Sequence, residues 1–164
     1  MSAHFLVKVF EHNNWANSQI IQACAVLSDA QLDAEPHTAT IGSIRQTLMH
    51  VVTAQHGYLL LLTLPVAARH AISPSFAELQ HAARISGEAL VAWASESSTY
   101  PTTQLQTTDG YFVEPWVVIV QIINHATEHR EQISSMLSAL GVTSPDLDGW
   151  AYGEVTNALI PITT

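Results

Sequence analysis

Basic residues are scarce in this chain: five Lys and Arg stand against fourteen Asp and Glu, for a formal net charge of −9. Phosphate binding needs clustered Lys and Arg, so nucleic acid is a poor partner. The same balance disfavours an anionic membrane surface. Cysteine is scarcer still. Cys24 stands alone, which excludes a disulfide framework and a cysteine-based metal site and fits a reducing compartment. Long apolar runs are missing too. The run at residues 58–64 is far shorter than a membrane span, and the first residues lack the basic stretch and apolar core of a secretory leader. Only 12% of residues are charged and 48% are apolar, a composition that buries a core rather than staying disordered. A single domain over residues 1–164, soluble and cytoplasmic, is the expectation.

Histidine, by contrast, is plentiful, with nine in 164 residues. Two of them, His125 and His129, lie in the stretch 124–133, inside an apolar segment that runs from Trp116 to Leu140. Val118, Ile122, Ala126, Ile133, Leu137 and Leu140 recur at three- and four-residue spacing and form one buried helical stripe. His129 falls inside that stripe and His125 at its edge, one turn apart and leaning inward. Neutral imidazoles so spaced can share one metal ion, and a third ligand must come from elsewhere.

Upstream, residues 3–27 read as a first helix, with Leu6, Val9, Phe10, Ile20, Ile21, Cys24 and Leu27 on one arc. Asn13 and Asn17 occupy the middle of that arc. They are either an interhelical hydrogen-bond pair or the lining of a site. His12 and Trp15 point away, His12 as a surface histidine and Trp15 to be covered by another segment or a second subunit. A polar connection at 28–42 leads to Ser43 and Gln46, a capping box opening a second helix that stops at Pro65. Its stripe is Ile44, Leu48, Val51, Val52, Gln55, Leu59 and Leu62. His50 lies about 100° off that stripe, on a flank with Ser43, Thr47, Ala54, Gly57 and Leu61.

Ser75 and Glu78 form a second capping box, opening a helix with Phe76, Leu79, Ala83, Ser86, Leu90 and Trp93 inward and His81 outward. Asp109-Gly110 signals a small β-hairpin before the last long helix, and Gly141 caps that helix. Trp150 and Tyr152 in the tail are expected to fold back over an end of the bundle. Four amphipathic helices define an all-α four-helix bundle. A di-iron carboxylate site is excluded, because the second helix has no Glu and Glu128 points outward. A mononuclear site remains, with His125, His129 and either His50 or His56; the small-residue flank favours His50.

The ordered set Asn14-Trp15-Ala16-Asn17, residues 42–50, residues 125–133 and residues 145–152 resembles the DinB family of metal-binding four-helix proteins. That resemblance implies crossover connections, a homodimer, and His50, His125 and His129 as ligands of one divalent ion, nickel or zinc. Some relatives are S-transferases or isomerases that use bacillithiol or mycothiol. The resemblance thus suggests a small-molecule substrate and a low-molecular-weight thiol, activated at the metal. A metal-dependent hydrolase, a non-catalytic metal- or small-molecule-binding stress-response protein, and a bundle with merely structural histidines are the alternatives. Asn13, Asn17 and Gln132 could line the site but take no proton at neutral pH, so no catalytic residue is assigned. Arg45 and Arg130 are the evident cations for a substrate carboxylate.

Overall fold

A computed structural model describes residues 3–36, 42–96 and 100–162. Four long helices carry the fold: α1 (Ala3–Cys24), α3 (Ile44–Thr63), α4 (Leu79–Ser95) and α5 (Pro115–Ala139), with short helices α2 (Asp29–Leu32) and α6 (Gly149–Val155). Both α1 and α3 pack on α4 and on α5. The links from α1 to α3 and from α4 to α5 therefore each cross the bundle, while α3 and α4 are neighbours. Among the described residues no helix is long and apolar enough to cross a membrane.

Local sequence sets most of the boundaries. Ser43 accepts from the Gln46 N–H while the Gln46 side chain accepts from the Ser43 N–H, and so opens α3. Leu64 turns to extended backbone (φ −128°, ψ 149°) ahead of Pro65, as a residue before proline must. The Ser75–Glu78 box forms as read, but its first turn is a 3-10 turn at Phe76–Glu78 before α4 begins. Leu105 pairs with Val113 and Gln106 with Phe112 in the expected two-stranded hairpin. Pro115 then starts α5, where its missing N–H costs nothing. At the other end Gly141 takes φ +72°, with its N–H on Ser138 O at 3.0 Å and the Val142 N–H on Leu137 O at 2.9 Å. Those two bonds make a Schellman cap, and they bring Val142 against the core.

Four expectations change. α1 stops at Cys24 rather than at residue 27, because Ser28 caps the new helix α2 inside what read as a polar connection; Leu27 and Leu32 still reach the core. Leu140 is exposed, since it follows the last turn of α5. His12 is not a surface histidine. Its Nε2 lies 2.9 Å from Leu147 O, so it anchors the tail. Of the two tail aromatics, Tyr152 folds back and stacks on Trp15 at 5.3 Å between ring centroids, while Trp150 stays 72% exposed.

The core is split into two apolar clusters. One gathers Ile20, Cys24, Ile44, Leu48, Leu79, Ile133 and Leu137. The other gathers Phe10, Leu62, Leu90, Trp93, Val118 and Ile122. Between them along every long helix lies a polar residue: Asn13 and Asn17 on α1, Gln55 on α3, Ser86 on α4 and Arg130 on α5, all buried. Both Asn Nδ2 groups donate to Gln55 Oε1, and Gln55 Nε2 donates to Ala83 O and Ser86 Oγ. Arg130 Nη1 donates to Asn13 Oδ1 at 2.8 Å and to Asn17 Oδ1 at 2.6 Å, and its Nη2 donates to Thr127 Oγ1. Four helices are tied by one network. Gly87 lets α1 and α4 approach closely, because a Cβ there would collide with the Asn14 side chain of α1.

Candidate metal centre

At this polar waist α3 and α5 face each other, and three imidazoles converge. His50, His125 and His129 each offer a ring nitrogen, and these atoms lie within 4.8 Å of one another. His50 Nε2 and His125 Nε2 are 2.8 Å apart. The His125 and His129 rings sit 4.4 Å apart, as the one-turn spacing on α5 dictates. His129 is buried, and the other two are half-buried. Gly57 of the small-residue flank is exposed, with nothing beside its Cβ position, whereas His50 itself faces α5 and joins the pair. His56 does not; its ring is next to His70, 6.0 Å away.

The protonation pattern suits a cation. Burial, then His129, then His50 push the His125 pKa down to about 4. Burial and then His129 also lower that of His50. Both rings are neutral at pH 7. His129 Nδ1 lies 2.9 Å from Gln132 Oε1; an amide oxygen accepts, so Nδ1 is the donor, and the lone pair of a neutral ring falls to Nε2. A hydrogen bond to the outer ring nitrogen is the usual way a ligating imidazole is oriented. Two neutral imidazole nitrogens pointed at each other repel unless one holds a proton or a cation lies between them. The residues present fit a divalent metal bound by neutral nitrogens.

The remaining candidates fall in different places. Gln132 touches the cluster through His129. Asn13 and Asn17 direct their amides to Gln55 and Arg130 in the network described above. Arg130 is sealed in the core, and burial pulls its pKa down to about 10, still protonated at neutral pH. Arg45 is held by Asp29 at 2.5 Å and Asp33 at 2.7 Å and lies over the Phe76 ring. Neither arginine is free for a substrate carboxylate. His81 and Glu128 are exposed, as expected. Tyr58 was not singled out by sequence, yet its ring meets His125 edge-on at 5.7 Å. Eight residues after His50, it lies about 80° round α3 from it, a placement that marks it only once α5 is known to lie alongside.

The metal-free protein should lose stability as pH falls. For His50 and His125 the folded pKa is depressed, so between the unfolded value near 6.5 and the folded one the unfolded chain binds more protons. Their contribution is complete above about 6.5 and is lost as pH drops toward about 4 for His125. Thermal melts of metal-free protein between those limits should show a shallower slope for His125→Asn than for the unaltered chain. Equal slopes would contradict the assignment of these shifts.

A helical bundle with crossed connections and three imidazoles converging between two of its helices belongs to the class of all-α proteins that could hold a metal ion. The sequence model of the DinB family matches residues 1–162, and the chain belongs to that family. No curated protein matches it.

Proposed function

We propose that this chain is a metal-dependent enzyme that activates the thiol of a small cosubstrate for S-transfer, with His50, His125 and His129 holding nickel or zinc. The observation that carries the reading is the set of three converging imidazoles, one of them oriented by Gln132. When bound, a divalent ion held by neutral ligands keeps its charge and lowers the pKa of a thiol or water beside it. His129 is held still by Gln132, and Arg130 beside it is locked to α1, so the α5 ligands are presented on a rigid element. The Tyr58 ring walls one side of His125.

The thiol is not the chain's own. Cys24 is fully buried, and burial pushes its pKa up to about 12, which leaves it inert. Among the described residues no carboxylate is hydrogen-bonded to the cluster, and a metal-activated thiol needs a separate base less than hydrolysis does. Protein purified without a histidine tag and loaded with zinc or nickel should form thioethers from chloro-aromatic or epoxide acceptors with at least one thiol of a panel. Ester hydrolysis with no thiol turnover would overturn the transferase reading in favour of a hydrolase.

A homodimer forms part of the same reading. Trp116 (60% exposed), Val117, Val120 and Phe112 leave an apolar face on the start of α5 and the hairpin, of the kind that marks an interface. Light scattering should give twice the chain mass for the unaltered protein and a monomer for Trp116→Glu with Val120→Glu. A monomeric unaltered protein would refute it.

A further inference from the structure

The chain has five Lys and Arg, and the structure accounts for four of their charges. Lys8, Arg45 and Arg84 are each paired with a carboxylate. Arg130 is sealed in the waist network. Arg69 is different. Among the described residues its hydrogen bonds go only to neutral carbonyls, with Nε donating to Leu64 O at 2.9 Å and Nη1 to Gln106 O at 2.6 Å. Those bonds tie the loop after α3 to the hairpin and fix the guanidinium without neutralising it. A guanidinium has five N–H donors, and Nη2 has no protein acceptor among the described residues.

Arg69 stands in the wall of a cavity of about 420 Å³, which opens on α3 one turn beyond His50. That volume is within the usual range for small-molecule sites. Ala54, Gly57 and Leu61 of α3 lie on one side and residues 69–72 and 107–108 on the other, with His56 and His70 also in the lining. No lining residue is acidic, although the chain carries a net charge of −9. Tyr58 lines the cavity too, and its ring touches the metal-ligand candidate His125.

Gly57 is the second oddity there. It lies in the interior of α3, where glycine is unfavourable relative to alanine. A Cβ at that position would meet nothing within 4 Å, so helix packing does not require the glycine. Its effect is to leave the cavity floor bare, opposite a fixed cation with no counter-ion.

We propose that this cavity binds a small molecule with an apolar body and one carboxylate, the body lying over Gly57 and the carboxylate accepting from the uncommitted N–H groups of Arg69. As a substrate subsite of the metal centre it rests on the S-transfer reading above; the binding itself does not.

The test titrates 2-naphthoate and its uncharged counterpart 2-naphthamide by calorimetry into the full chain, metal-free and zinc-loaded. The unaltered chain should bind the carboxylate about tenfold more tightly, the low end for a hydrogen bond to a charged group, and added salt should shrink the margin. Arg69→Gln, which keeps an N–H donor but no charge, should bring the two affinities together. Arg69→Lys should keep part of the margin. Gly57→Leu should bind neither compound, yet melt no lower than the unaltered chain, because leucine is the better helix former and the space beside the helix is open. Equal affinities in the unaltered chain, a margin unchanged in Arg69→Gln, binding kept by Gly57→Leu, or no binding of either compound would overturn the proposal. The margin is expected without metal, where no ion can take the carboxylate, and one seen only with zinc would also overturn it. Failure of the metal reading therefore leaves this result standing, and the reverse holds too.

Discussion

Replacing His125 with alanine should abolish stable uptake of a divalent transition metal. Two imidazoles would remain, His50 on α3 and His129 on α5, and two ligands do not hold an ion against a chelator. Losing a partner that only orients a ligand costs about 10–100-fold in affinity. Loss of a ligand itself should exceed the upper end of that range, and Gln132→Leu should fall within it, because Gln132 acts through His129 Nδ1. His81→Ala should change nothing, since that ring is exposed on α4. Elemental analysis and competition with a chromogenic chelator rank the variants. Full retention of metal by His125→Ala would remove the ring from the ligand set.

Arg130→Met should destabilise the fold more than any surface change of the same residue type. It leaves Asn13 Oδ1 and Asn17 Oδ1 buried without their donor, at about 1–3 kcal/mol each. Relief of a desolvated charge with no carboxylate in its hydrogen-bond shell offsets part of this. A net loss of about 2–4 kcal/mol follows, or about 4–16 °C in Tm for a chain of this size. Arg45→Ala should cost far less, because a surface ion pair contributes little and its partners Asp29 and Asp33 are largely exposed. The two losses are separable by context. In a background carrying Asn13→Leu and Asn17→Leu, Arg130→Met should cost less, since no acceptor is then orphaned. If Arg130→Met is as mild as Arg45→Ala, the waist network does not hold the helices together.

Much of the architecture could be read from periodicity and caps, because those signals are local. The apolar stripe of α5, the Ser43 and Ser75 boxes and the Asp109-Gly110 hairpin each depend on residues a few positions apart. What lies opposite a helix is a different kind of information. Periodicity placed Asn13 and Asn17 inside but could not name Arg130 as their common partner, 117 and 113 positions away. His12 read as solvated because nothing on its own helix predicts that Leu147 O will reach it. His50 lay off its helix's main stripe, and its flank of small residues and then the resemblance, rather than the stripe, pointed to it. The cavity around His56 was not legible at all, since its walls come from α3, the loop after it and the hairpin.

X-ray absorption on the zinc-loaded protein, prepared without a histidine tag, addresses the metal centre most directly. Three imidazole nitrogens at about 2.0–2.1 Å from one zinc per chain, reduced by one on His50→Ala, is the expected spectrum. Fewer than three imidazoles in the unaltered protein, or a spectrum indifferent to His50→Ala, would contradict it.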